Sequence, residues 1–296
     1  MKKKFALGPV LWGSLSFVLG AALASFIAFR ELNYLAANPD IAADMPKVAP
    51  QFPVIYFFSA VVVIGIILLV IPVSKLKWVF KTLFIFLYAW GIFVVLAFTF
   101  QTQLTAITII SVLVGLVWFL WPRVWLQNIL MLLALVGIGS VFGVLVKPWP
   151  IMIFLLVVAV YDYLAVRFGY MIWMANKLSK SDSLPAFVIP KTTSNWNHSL
   201  KTTGSDSQTI IEGDASQREY SILGGGDVGF PLILMVSVYA NYGFGSSMII
   251  AGFSLVGLIG AFVIQSLFLK GKPMPALPPI AISSLIGLLI VIYAIK

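Results

Sequence analysis

Two aspartates stand where a membrane segment should carry no charge. Asp162 lies inside the apolar run from Trp149 to Trp173. Asp227 follows Gly224-Gly225-Gly226 at the front of the apolar run from Val228 to Ala240. A carboxylate at the bilayer centre costs roughly 2.5 kcal/mol or more, so an intramembrane acid is a functional candidate by default. Two carboxyl groups in contact do acid–base work on a carbonyl: one activates a water and the other protonates the departing group. The same two acids also suit a proton relay or ion site in a transporter, or a structural hydrogen bond. The other eight acids, Glu31, Asp40, Asp44, Asp182, Asp206, Glu212, Asp214 and Glu219, fall in loops or at the ends of apolar runs.

Other chemistries fail on residue type. With no cysteine there is no thiolate nucleophile, disulfide or Cys-based metal site. The single histidine, His198, sits in a polar stretch, so neither a His-Glu-x-x-His metal site nor a membrane serine–histidine dyad exists. The expected set of metals and cofactors is therefore none.

The elements that must position the pair follow from composition. The chain has 296 residues, 61% of them hydrophobic and 10% charged. Its mean hydropathy is +1.05. Runs of about 20 apolar residues cross a core of roughly 30 Å as helices, and the runs lack the alternation a barrel needs. The expectation is an all-α polytopic membrane protein whose surroundings are the lipid bilayer. Nine spans are predicted: Phe5–Phe29, Phe52–Ser74, Trp78–Phe98, Leu104–Trp121, Val124–Val146, Trp149–Trp173, Ile222–Ala240, Ser247–Leu269 and Met274–Ile295. The Met1-Lys2-Lys3-Lys4 start is signal-like, but the following apolar run to Phe29 exceeds a signal h-region and reads as a first span.

The net charge of +9 needs no nucleic-acid partner. With the N-terminus inside and nine crossings, 15 basic residues fall inside and four (Arg30, Lys47, Lys147 and Lys296) outside. That is the bias expected of cytoplasmic loops, and it puts the C-terminus outside the cell membrane.

The chain reads as one membrane domain, 1–296. Residues 1–147 form a five-helix scaffold, whose Gly13, Gly20, Ala24, Gly91, Gly115, Gly137, Gly139 and Gly143 suit close helix packing. Residues 148–296 carry the chemistry in helices six to nine. The Arg30–Gln51 loop reads as an ordinary outside loop, with substrate admission as its functional alternative. The polar stretch at about 178–220 is read as a flexible cytoplasmic linker or a mobile cover over the site. Asn197-His198-Ser199 matches a glycosylation acceptor, but the charge bias places it inside.

Depth brings the acids together. Asp162 is 13 residues below Trp149 on a descending helix, and Asp227 is about five or six residues up the next, so both lie about 10 Å from the cytoplasmic face. Arg167, about 140° around the helix from Asp162, is not its partner and is expected to snorkel. The glycines before Asp227 permit close backbone approach or simply a loose helix start. Pro273-Met274-Pro275-Ala276-Leu277-Pro278-Pro279 stands at similar depth, where repeated proline leaves carbonyls that must line a cavity or an interface.

Tyr161-Asp162, the Gly-x-Gly-Asp at Gly224–Asp227 and Pro275-Ala276-Leu277, in that order and on the sixth, seventh and ninth spans, resemble the three signatures of the presenilin and signal peptide peptidase family. These are intramembrane aspartyl proteases of the GxGD type, and the compact, cysteine-free chain is similar to an archaeal presenilin homologue. The resemblance implies that Asp162 and Asp227 are the catalytic aspartates and that Tyr161 orients the site. It implies that Gly224 and Gly226 allow close approach, and that Pro275, Ala276 and Leu277 shape the site and help hold substrate. The implied substrates are transmembrane proteins or peptides. A homo-oligomer, and self-cleavage or movement of the loop after span six, are further properties the resemblance leaves open. Without the resemblance, a proton-coupled transporter or cation leak using the same acids is the competing reading, which an inverted repeat would favour; no convincing repeat is seen.

Overall fold

Apolar runs close their backbone hydrogen bonds internally as helices, because a hydrocarbon surround offers no other partner. In the computed structural model, residues 7–45, 52–70, 73–101, 103–170, 185–190, 193–200, 220–267 and 274–294 are described. They form α1 (Leu7–Ala37), the five-residue α2 (Pro39–Ala43), α3 (Phe52–Val70), α4 (Val73–Phe100), α5 (Leu104–Leu120), α6 (Val124–Leu145), α7 (Pro148–Arg167), α8 (Gly225–Leu267) and α9 (Leu277–Ala294). A short strand, β1 (Ala186–Pro190), a 3-10 turn (Thr193–Asn197) and a second strand, β2 (Tyr220–Gly224), lie between α7 and α8. The N-terminal lysines, most of the 178–220 stretch and Pro273 lie outside the described residues.

Six of these helices are long and apolar enough to cross a bilayer: α1, α4, α6, α7, α8 and α9. Helix α8 runs 43 residues, about 65 Å at 1.5 Å each, which is twice the hydrocarbon core. It is broken at Gly243, whose φ of +85° and ψ of 175° only glycine adopts readily. The break falls between the two runs read separately from sequence.

The predicted span Ile222–Ala240 needs one correction at its start. Tyr220–Gly224 is not the start of a span; it is a strand paired antiparallel with Ala186–Pro190, in the register Ala186 to Gly224 through Pro190 to Tyr220. The residues explain it: Ala-Phe-Val-Ile-Pro and Tyr-Ser-Ile-Leu-Gly are rich in β-branched and aromatic side chains. Every β1 residue is buried. Its outer edge is held by α6, where the Asn128 amide donates to the Val188 carbonyl (2.7 Å) and accepts from the Val188 N–H (2.8 Å). Helix α8 consequently starts at Gly225, three residues later than the predicted span.

Helix α6 is the hub, touching α1, α4 and α8. Glycines set the spacing: a Cβ on Gly137 would lie 2.8 Å from the Gly91 Cα, and one on Gly143 2.6 Å from the Val236 Cβ. Helices approach this closely in membranes because small residues let backbone dispersion substitute for a hydrophobic drive. On the other side, α7, α8 and α9 are in mutual contact. A Ser254–Ser284 hydrogen bond (2.8 Å) joins the second half of α8 to α9. The site lies among these three helices.

Candidate active site

Each aspartate meets backbone N–H groups at the start of a helix: Asp227 at the start of its own helix α8, and Asp162, from within α7, at the start of α9. Asp227 is the third residue of α8, and its carboxylate accepts from the Gly224 N–H just before the helix. A third-position acid reaching back to the capping N–H is half of a capping box, and a negative charge there complements the helix dipole. Pro231, one turn on, carries no N–H for the Asp227 carbonyl.

Asp162 is on α7, 4% exposed. Its carboxylate accepts from the Leu277 N–H (3.3 Å) and from the Ala276 N–H. In Pro275-Ala276-Leu277-Pro278-Pro279 the three prolines have no N–H, so Ala276 and Leu277 hold the only two donors. Both go to Asp162. The proline segment therefore serves as a fixed pair of donors that ties α9 to α7 through one oxygen-rich contact.

The two carboxylates lie within electrostatic range of each other. Asp227, half-buried, faces a small open cleft that is also lined by Ile222, Leu223, Leu258, Phe262, Gln265, Met274 and Ala276. Asp162 is not among its lining residues; it stands behind Ala276 and Leu277. Its lining side chains are mostly apolar, with Asp227 and Gln265 the charged and polar ones.

Of the remaining sequence candidates, Gly224 is in β2, where an added Cβ would lie 3.0 Å from the Asp227 Oδ2. An added Cβ on Gly226 would lie 2.8 Å from the Phe230 ring. Pro275 and Ala276 are half-buried and Leu277 is buried. Tyr161 is half-buried beside Asp162. Arg167 is exposed at the end of α7, away from the carboxylates.

Two residues near the site, Asn128 and Met131, carried no sequence signal strong enough to single them out, and the close approach read for the glycines before Asp227 falls on Gly225. Gly225 is the tightest of the three glycines: its N–H donates to the Pro185 carbonyl (3.0 Å), and a Cβ there would overlap the Met131 Cε. Met131 and Asn128, both on α6, thus brace the ribbon, Asn128 at its middle pair and Met131 where β2 meets α8. Asn128 was visible only as an amide inside an apolar run.

The register also fixes which way β2 presents its backbone. Val188 spends its N–H and C=O on Asn128, so the Val188–Ile222 pair is a non-hydrogen-bonded one, and Ile222 turns its own N–H and C=O away from β1. Ile222 is also a wall of the cleft.

Comparison with known proteins then adds a family. The model of the family "Signal-peptide peptidase, presenilin aspartyl protease" matches residues 17–296. Among solved structures, a presenilin family intramembrane aspartate protease in a C222 crystal form is 17% identical, with a TM-score of 0.60 over 97% of this chain and 98% of that one. Another, in a P2 form, is 22% identical, with a TM-score of 0.56 over 95% and 98%. No match was found among curated proteins.

Proposed function

We infer the reaction from one premise: this chain belongs to the signal-peptide peptidase and presenilin aspartyl protease family. It is a multi-pass membrane protein and an intramembrane aspartyl protease acting on transmembrane substrates, an aspartic endopeptidase by reaction class. Nothing in the fold or the comparisons favours the transporter alternative.

Asp162 and Asp227 are proposed as the catalytic pair. The observation that carries this is their placement on two contacting helices, within electrostatic range, with one of them facing a cleft. In the proposed reaction one carboxylate takes a proton from water as its oxygen adds to the amide carbon. The other, in its acid form, protonates the nitrogen as the C–N bond breaks, releasing an amine and a new carboxyl group. The Ala276 and Leu277 N–H groups hold Asp162 in a fixed orientation, and the Gly224 N–H does the same for Asp227.

A transmembrane substrate has its amides locked in its own helix, so the segment to be cut must unwind first. We propose that the unwound strand lies in the cleft between Ile222 and the 274–277 segment, where the outward N–H and C=O of Ile222 offer strand pairing. The orientation proposed is N-terminus cytoplasmic and C-terminus outside. Nine crossings are reached by counting α8 as two, on either side of Gly243, and adding the 19-residue α3 and 17-residue α5. Helices α1 to α6 are proposed as scaffold and α7 to α9 as the catalytic part.

Purified protein in proteoliposomes, incubated with a single-span peptide, is the test. Endoproteolytic products with ends inside the apolar segment are expected. Asp-dependent proton or cation flux without any cleavage would replace this reading with transport.

A further inference from the structure

The chain's only histidine stands in a short segment that is tied down on three sides. At residues 193–200 the Trp196 ring meets the Trp12 ring of α1 edge-on at 4.9 Å. The His198 carbonyl accepts from the Val124 N–H (3.1 Å), and the Leu200 N–H donates to the Pro122 carbonyl (2.9 Å). Arg123 donates to the Asn197 carbonyl and forms a bridge with Ser199. The segment is thus paired along the α5–α6 turn, a part of the molecule remote in sequence from the aspartates.

From this anchored segment one side chain reaches onward. The His198 Nδ1 and the Tyr220 hydroxyl are 2.8 Å apart. Tyr220 is 4% exposed and is the first residue of β2. Four residues later Gly224 gives its N–H to Asp227. The contact therefore seats the far end of the strand that leads into Asp227 and whose outer edge walls the cleft.

We propose that His198 is a positioning residue: its hydrogen bond to Tyr220 fixes β2 against the α5–α6 turn and so sets the place of Asp227 relative to Asp162. The inference rests on the reading of Asp227 as catalytic. Among the described residues the strand has one partner strand, and a two-stranded ribbon is marginal by itself. Asn128 holds it from the β1 side. On the β2 side the His198–Tyr220 contact is a side-chain tie at the end away from Asp227. Displacement of a catalytic group by about 1 Å costs up to about 100-fold in rate, so a loosened strand registers in turnover before it registers in folding.

The experiment compares wild-type, His198→Ala, Tyr220→Phe, the double variant and His198→Asn, all as full chains in proteoliposomes. Asparagine places an amide nitrogen near the position of Nδ1 and keeps a partner for the hydroxyl. The expected result is a fall in kcat of about tenfold in His198→Ala and in Tyr220→Phe, with KM within about twofold. The double variant should be no slower than the singles, and His198→Asn should recover most of the rate. Amide exchange of residues 220–224 should quicken in the two single variants and not in His198→Asn. Unchanged kcat, independent losses that multiply in the double variant, or failure of asparagine to rescue would each overturn the assignment. If wild-type itself cuts nothing, the protease reading falls; the exchange comparison then still decides whether His198 seats β2.

Discussion

At the scale of residues, the two aspartates were legible because a carboxylate inside an apolar run stands out locally, whatever surrounds it. Their supports were not. Asn128 meets Val188 across 60 residues of chain, and no local pattern announces such a contact. Gly225 looked like the variable position of a Gly-x-Gly-Asp motif, yet it is the glycine pressed against Met131 and Pro185. The Pro275-Ala276-Leu277 motif was visible, but its reason was not: prolines remove every donor from the segment except the two that Asp162 takes. This gives a direct prediction. Leu277→Pro deletes one of those donors at a position where a helix tolerates proline. It should cost about 1–3 kcal/mol of stability, the range for a buried hydrogen bond to a charged partner, and should slow cleavage. Leu277→Val, which keeps the N–H, should lose less of both. Thermal unfolding and initial rates on the same preparations check it.

At the scale of elements, the helices announced themselves through continuous apolar runs, but their observed ends depart from the predicted ones by more than a few residues at α1, at the start of α4 (Val73 rather than Trp78) and at the end of α7 (Arg167 rather than Trp173), and Asp227 follows a strand rather than a span start. Helix α1 continues to Ala37, past the apolar run, because Arg30 is held by the Phe98 and Thr99 carbonyls at the end of α4. The ribbon stayed hidden because β1 is five apolar residues inside a stretch whose average is polar, and its partner is distant in sequence. A window average erases such a strand. The break in α8 was readable as a gap between two runs, though its single pivot was not. Gly243 holds a backbone conformation nearly closed to residues with a Cβ. Nothing lies within 4 Å of an added Cβ there, so the cost of Gly243→Ala is one of backbone strain alone. It should destabilise the protein by roughly 1–3 kcal/mol, seen as a lower Tm, with cleavage retained at temperatures where the fold persists.

At the scale of the whole molecule, the distribution of basic residues is the basis of the proposed orientation. If nine crossings are made as proposed, the 38–45 segment lies outside and the 193–200 segment inside. The absence of cysteine makes the test simple. In intact cells, an impermeant thiol reagent should label Asp40→Cys, and it should label Asn197→Cys only after the membrane is opened. Labelling of both in intact cells would contradict the proposed topology. The central claim, that Asp162 and Asp227 together break a peptide bond inside the bilayer, is tested most directly by single-turnover cleavage of a single-span peptide by Asp162→Asn and Asp227→Asn. Each variant should keep the wild-type Tm to within a few degrees and lose at least about a thousandfold in rate. Cleavage by either variant at a rate near that of the wild-type would contradict the account.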